Sequence, residues 1–374
     1  MHKVAQIRIV MLANGHVPFD TRIFHKEART LVDAGFSVSI IVPHEKDEER
    51  EGVFIIAVPL NKKGWRKLVV NPINILKKAL RQPAHAIFHL HDSDILLTGL
   101  VLKILGRKVI YDAHEDTPLQ IRYQHWLPKI LKGPYAAFYF ALEKLCGWCF
   151  DAIIVAEPVM AKYFPTKKTF LLRNFPIKKS FVPSVNIPYG EREKTLIHVG
   201  VLSKVRGLFE MLEGFTIATK EVDVYFLLGG QFAPPSLAPE VIPNYPVNFV
   251  GWVSYPKLIE LLFQSRAGII IPHPIERYKT NYPVKMFEFM AAGLPVIASR
   301  EGESASFINE AQCGILVNPL DHNEISNAIK WIFTNTKKAK EMGERGQALI
   351  FNRYNWEHES RVLLELYANL NKKD

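Results

Sequence analysis

The chain has 374 residues, of which 48% are hydrophobic and 22% charged, a composition that excludes a disordered chain and provides enough apolar material for two domains with separate cores. Lysine and arginine exceed aspartate and glutamate by ten, so anionic partners are expected: nucleotide phosphates, an acidic membrane surface or nucleic acid. Three cysteines are too few for a disulfide framework, and no apolar run reaches the roughly 18 residues that cross a bilayer. MHKVAQIRIVMLANGHVPFD also lacks the apolar core and cleavage site of a signal peptide, so a cytoplasmic protein, at most peripheral on the inner face of the plasma membrane, is expected.

Along the first half, strand signals alternate with helix signals: IRIVMLA, a helix from about Asp20 to Ala34 stopped by Gly35, then FSVSIIV, FIIAV, HAIFHLH, KVIYDA and AIIVA. Near-continuous β-branched runs separated by helices imply parallel sheets covered on both faces. CGWC at 146–149 has the spacing of a redox motif, but AFYFALEKLCGWCFDAIIVA reads as a helix running into a strand, so core packing is the expected role of these cysteines. PIKKSFVPSVNIPYGEREK, rich in proline and charge, is the predicted linker over 176–194. The alternation then restarts with TLIHVG, VYFLLG, VNFVG, AGIIIP, LPVIAS and GILVN, interleaved with predicted helices at Leu208–Ala218, Pro256–Phe263 and Glu324–Phe333. The organisation expected is a first Rossmann-like domain over 1–175, a second over 195–353, and a C-terminal helix over 354–374 packing back on the first domain. The fold class is α/β, two doubly wound domains facing a cleft, with ligands at the carboxyl ends of the strands.

The most informative stretch is TNYPVKMFEFMAAGLPVIAS, from Thr280 to Ser299. Pro283 suits the first turn of a helix, where its missing N–H costs nothing, and Val284 and Lys285 follow as free backbone donors for an anion. With Gly293 as a left-handed cap and Pro295 preventing continuation, Glu288 lies one turn below Val284 on the same face. An acid in so apolar a setting argues for a ligand or a partner.

The order of these features, with ANGHVPFDTRIFHKEARTLVDAGFSV, HLHDSDIL, VIYDAHED, LRNFP, HVGVLSKVRG, FVGWV and NRYNWE, resembles the retaining, nucleotide-sugar-dependent glycosyltransferases of family 4, which have the GT-B fold; the similarity covers nearly the whole chain. The resemblance implies transfer of a hexose from a nucleotide sugar to a hydroxyl acceptor, expected to be a glycan or lipid-linked glycan of a bacterial envelope pathway. It gives roles to particular positions. Gly15 would let the first loop approach the sugar closely, and Asp20 and Arg22 would serve the acceptor side, with helix capping as the competing role of Asp20. His114, at the end of a strand, would lie near the transferred sugar and acceptor and orient or relay a proton. Gly200, Lys204 and Arg206 would face the leaving diphosphate, where the family's usual arginine is Val201 and its usual lysine is Arg206. Trp252 would sit near the base. Thr280, Tyr282, Pro283, Val284, Lys285 and Glu288 would form the rest of the donor site, with Glu288 on the ribose and Thr280 where many members have a second glutamate.

His91-Asp92-Ser93-Asp94 contains a DxD, a metal-holding pattern in the other major glycosyltransferase fold. Asp92 is read here on the acceptor side and, more simply, as a cap for LLTGLVLKIL. No metal and no cofactor are expected; the diphosphate's charge would be stabilised by Arg206, Lys204 and the helix mouth. Two basic stretches with interleaved apolar residues, 62–81 with seven Lys/Arg and no acid, and 121–133, could lie on an anionic membrane. No nucleic-acid reader motif accompanies the charge. The alternatives are a nucleotide-sugar epimerase of the same fold and a non-catalytic nucleotide-sugar-binding partner subunit.

Overall fold

The computed structural model describes residues 7–61, 66–123, 127–183, 185 and 187–371. The chain forms two compact units, one of residues 1–174 with 358–374, the other of 175–357. Each is built around its own sheet.

The strands of the first unit are β1 (Arg8–Leu12), β2 (Ser37–Pro43), β3 (Glu48–Arg50), β4 (Val53–Val58), β5 (Ile87–Leu90), β6 (Lys108–Ala113), β7 (Ala152–Val155) and β8 (Thr169–Leu171). They lie in the order β3-β4-β2-β1-β5-β6-β7-β8, parallel except for β3, which pairs antiparallel with β4. The strands read as continuous apolar runs because helices cover both faces, and Ile9, Val10, Met11, Leu12, Phe88 and Val109 are buried accordingly. Strand β3 escaped the sequence reading: its residues, Glu-Glu-Arg, are an edge strand held by backbone pairing rather than by an apolar pattern. The helix expected from Asp20 starts later. It is π-wound over Ile23–Ala28 and α-helical over Arg29–Asp33, and Gly35 follows at φ +90°.

The second unit contains β9 (Thr195–Leu202), β10 (Tyr225–Phe232), β11 (Val247–Gly251), β12 (Ala267–Ile270), β13 (Val296–Ser299) and β14 (Gly314–Val317), all parallel, in the order β11-β10-β9-β12-β13-β14. Residues 176–194, expected as a linker, belong to this unit. Phe181 and Tyr189 are buried in its cores, and the Tyr189 hydroxyl donates to the Arg266 carbonyl at 2.8 Å. Among its described residues the stretch forms only two short 3₁₀ turns, Lys178–Ser180 and Tyr189–Glu191, and aromatic burial anchors it. The helices match closely, Leu208–Ala218 as expected, Tyr255–Gln264 and His322–Thr334 each slightly longer. Residues Leu363, Leu366, Tyr367 and Leu370 of the last helix, Trp356–Asn371, are buried, and Lys108 Nζ of β6 donates to the Leu370 carbonyl.

Cys146 and Cys149 end the helix Lys129–Cys149 as free thiols, and burial pushes Cys146 up to about 12, where it stays unreactive. No described helix is long and apolar enough to cross a membrane.

Candidate active site

In each sheet the strand order reverses at one point, between β1 and β5 in the first unit and between β9 and β12 in the second. Chains leave those neighbouring strands in opposite directions, which opens a crevice at their carboxyl ends. Most of the residues singled out from sequence fall at these two places.

In the first unit, β1 leads into Asn14-Gly15-His16 and β5 into His91-Asp92. Asp92 does not cap the helix that follows it. One of its oxygens accepts the backbone N–H of Asn14 at 2.7 Å and of Gly15 at 3.0 Å, and the other lies 3.2 Å from His16 Nδ1. Asn14 is held further by Asp94 at 2.6 Å and by Asn71 at 2.9 Å. A Cβ on Gly15 would stand 2.7 Å from Asp92 Oδ1, so any side chain here would have to displace this carboxylate. Burial opposes charge on His16, but Asp92 outweighs it and raises the imidazole to about 9. Burial likewise opposes ionisation of Asp92, yet His16 and the two amides hold it well below the usual carboxylate range. Burial and the adjacent Asp92 raise Asp94 to about 6.

Arg22 is not exposed to an acceptor. It is 4% accessible, with Nε and Nη2 on the Asp112 carboxylate at 2.9–3.0 Å, Nη1 on the Leu172 carbonyl at 3.1 Å, and Glu27 2.9 Å from Nε. Its donors are consumed in holding β6 to the first helix. Asp20 caps, accepting the amides of Arg22 at 2.7 Å and Ile23 at 3.0 Å. The consequence of the Arg22–Asp112 pair lies two residues further on: Asp112 accepts from His114 Nε2 at 3.0 Å. That bond places the proton of a neutral His114 on Nε2 and leaves Nδ1 as the acceptor. His91 Nδ1 lies 3.3 Å from the same Nε2, and His16 and His114 meet edge to face at 5.1 Å. Burial drives His91 down to about 4, so it stays neutral.

Glu27, His89, His91 and Asp112 are all buried, with ligand-type atoms within 4.8 Å of one another. The same grouping also holds a fixed cation. Arg22 already bonds Asp112 and lies against Glu27, and burial with the Asp112 charge pushes Glu27 well above the usual carboxyl range. A divalent ion there would meet the fixed guanidinium charge. His89 Nδ1 is taken by the Tyr367 hydroxyl at 2.8 Å.

In the second unit, β9 runs past Gly200 to Leu202, pairing with β10 as far as Phe232, so the strand does not end at the glycine. The turn Lys204–Arg206 follows. Gly207 closes it at φ +77°, and a Cβ there would stand 2.1 Å from the Ile271 carbonyl oxygen, so both conformation and space demand glycine. The turn is fastened to the segment after β12: His273 donates its amide to the Val205 carbonyl at 3.0 Å, and its Nε2 lies 2.9 Å from Glu210 in the first turn of the next helix. Arg206 stands over the Tyr278 ring at 5.8 Å, and Lys204, exposed, over Phe209 at 5.3 Å. His198 of β9 donates Nδ1–H to the Ile269 carbonyl at 2.8 Å; burial first, then the charges of Arg206 and Lys285, bring it down to about 4. Both cations thus act on one buried point beside the switch between β9 and β12.

The helix of the Thr280–Ser299 stretch spans Val284–Ala291, with Pro283 as the residue before it and Gly293 at φ +72° after it; no side chain caps its start. The buried acid Glu288, 1% accessible, has a partner: Lys285 Nζ at 2.7 Å. Tyr282 packs against Phe307 at 5.1 Å, while Thr280 is half-buried and Trp252 is 69% exposed beyond β11.

Two family models match the chain, "Glycosyltransferase Family 4" over residues 21–168 and "Glycosyl transferases group 1" over 185–349. The chain is a glycosyltransferase of the GT-B type, similar to family 4. Its architecture is similar to that of sucrose-phosphate synthase from Thermosynechococcus elongatus, at 19% identity and a TM-score of 0.78, covering 99% of this chain and 100% of that one. It is also similar to Anabaena HepE in complex with UDP and glucose, at 12% identity and a TM-score of 0.73, covering 97% and 100%. Both are likenesses of the GT-B fold. Among curated proteins, N-acetyl-alpha-D-glucosaminyl L-malate synthase of Bacillus anthracis is 23% identical over 168 residues, 44% of this chain; the match spans 42% of that relative's length.

For this glycosyltransferase the sequence reading missed His16, Asp112, Glu210 and His273. Only proximity in the fold reveals them, since each acts on a partner far along the chain.

Proposed function

We propose that this glycosyltransferase moves a hexose from a nucleotide-sugar donor to a hydroxyl acceptor, with retention at the anomeric carbon and without a metal ion. The observation that carries the reading is the second unit's switch point, where Arg206, Lys285 and the uncapped start of Val284–Ala291 gather positive potential beside the β9–β12 boundary. Breaking an anomeric bond to a diphosphate leaves negative charge on the phosphates, and fixed donors there lower the barrier, each by about 3 kcal/mol on the scale of an oxyanion-hole donor. Glu288 is assigned to the donor ribose, with Lys285 both its partner and a phosphate ligand. His114, oriented by Asp112 with Nδ1 free of that bond, is assigned to relaying or positioning the acceptor proton. The UDP bound to Anabaena HepE supports a nucleotide-sugar donor, and the malate named in the Bacillus relative's product supports a small hydroxylated acceptor as readily as an envelope glycan or lipid-linked glycan.

A panel of nucleotide sugars, read by thermal stabilisation and by donor hydrolysis, tests the assignment. Glu288→Gln should weaken donor binding by about tenfold or more, the loss expected when a ribose hydroxyl loses a charged acceptor. Unchanged donor affinity by calorimetry would remove the ribose role. Binding without turnover across lipid, glycan and hydroxy-acid acceptors would favour a non-catalytic subunit, and release of an altered sugar nucleotide without acceptor would favour an epimerase.

A further inference from the structure

Three helices of the first unit, Asn71–Leu80, Leu96–Ile104 and Lys129–Cys149, pack side by side in that order. Their inner faces are ordinary core, with Ile75, Ala79, Leu102, Leu142 and Cys146 buried. Their outer faces are apolar as well. Ile73 is 47% accessible, Leu80 40%, Ile104 83%, Ile130 83%, Phe138 54% and Trp148 72%. On Lys129–Cys149 the outward stripe Pro134, Ala137, Phe138, Ala141, Leu145 and Trp148 recurs at helical spacing without one charged residue. A surface this apolar on three neighbouring helices marks a binding face rather than scattered exposure.

Charge identifies what covers it. Residues 66–81, 96–107 and 129–149 carry five, two and three Lys/Arg, against a single acid, Glu143. That acid is buried and accepts the Tyr111 hydroxyl at 2.9 Å. Lys103 is paired with Asp151 at 2.7 Å, and a second copy of this chain would bring the other cations of this face against one another. An anionic bilayer supplies both what the apolar residues need and what the cations need, and aromatic rings such as those of Trp148 and Phe138 favour the level of the lipid headgroups.

We infer that the outer face of these three helices docks the protein on an anionic lipid bilayer. The surface takes in the described parts of the two basic segments marked in the sequence and extends past them over Leu96–Ile104 and the rest of Lys129–Cys149; residues 62–65 and 124–126 of those segments lie outside the described residues. It rests on no assumption about donor or acceptor, so its failure leaves the catalytic reading standing.

The test is flotation of the full-length protein with phosphatidylcholine vesicles, with and without phosphatidylglycerol, in the absence of any sugar nucleotide. The protein should bind the anionic vesicles and bind neutral ones at least about tenfold less. Phe138→Glu with Trp148→Glu, both at exposed positions, should weaken binding to anionic vesicles by about tenfold or more while leaving the unfolding temperature unchanged. Absence of binding to anionic vesicles, equal binding to both kinds, or a double variant that binds as the parent does would overturn the inference. So would a double variant that converts a stable dimer to monomer without changing vesicle binding.

Discussion

Replacing Arg22 by methionine separates two readings of the same residue. If Arg22 served the acceptor, its loss would raise the acceptor KM and leave the fold alone. In the structure it is 4% accessible, and the two carboxyl groups it holds, on Asp112 and Glu27, are fully buried. The guanidinium makes a two-point contact with Asp112 and a bond to the Leu172 carbonyl. Removing it strands a buried negative charge, which costs about 3–5 kcal/mol where one partner of a buried pair is deleted. For a unit of this size that corresponds to a fall of roughly 10 °C in its unfolding temperature. Because the chain has two units, a single transition need not report on the first. Hydrogen exchange of the β1, β5 and β6 amides reads that unit directly. Asp112→Asn in the same background should recover part of the loss, with a coupling of at least about 1 kcal/mol. The pH dependence has a definite sign. Burial opposes ionisation of Asp112, but Arg22 and His114 hold it well below the usual range, so its contribution is present above about pH 3.9 and disappears only as pH falls through the lower folded value. Unchanged exchange protection in Arg22→Met, together with a raised acceptor KM, would refute the structural role.

Other outcomes follow from the two loops. His16 is raised to about 9, so its pairing with Asp92 contributes fully below about pH 6.5 and is lost as pH rises through 9. The stability gap between the parent and His16→Gln should therefore shrink by up to about 3 kcal/mol over that window, measured by denaturant unfolding; a gap independent of pH would contradict the pairing. Gly207→Ala, at φ +77° and 2.1 Å from the Ile271 oxygen, should cost about 2 kcal/mol and weaken donor binding by displacing Arg206. Gly200→Ala meets only His198 Nε2 at 3.9 Å, so equal stability losses at the two glycines would show that the close approach has no consequence.

Local signals served well where the answer was local. The helix Val284–Ala291, its leading proline and its Gly293 terminator are consecutive in sequence, and backbone stereochemistry alone makes them legible. The same holds for the parallel strands, whose uninterrupted apolar runs have no other stable use. Asp92 was misread for the opposite reason. A carboxylate ahead of a helix looks like a cap, yet its amide partner at Asn14 lies 78 positions away. Arg22 and Asp112 are 90 apart, and no pattern near Asp20-Thr21-Arg22 announces that the guanidinium turns inward. The apolar setting of Glu288 correctly signalled a need for compensation, and a neighbour one turn away, Lys285, meets it.

The amino-acid order by itself determined the class of fold, the two restarts of strand–helix alternation and the helix that presents Lys285 and Glu288, because periodicity, proline and glycine act over a few residues. Which charged groups are buried against each other was decided only by the tertiary structure. Sheet order brings the ends of β1, β5 and β6 together. At those ends Asp92 becomes the anchor of a loop, Arg22 the counter-charge of Asp112, and Asp112 the group that orients His114. Electrostatic roles depend on distance and desolvation, and neither can be read from spacing along the chain.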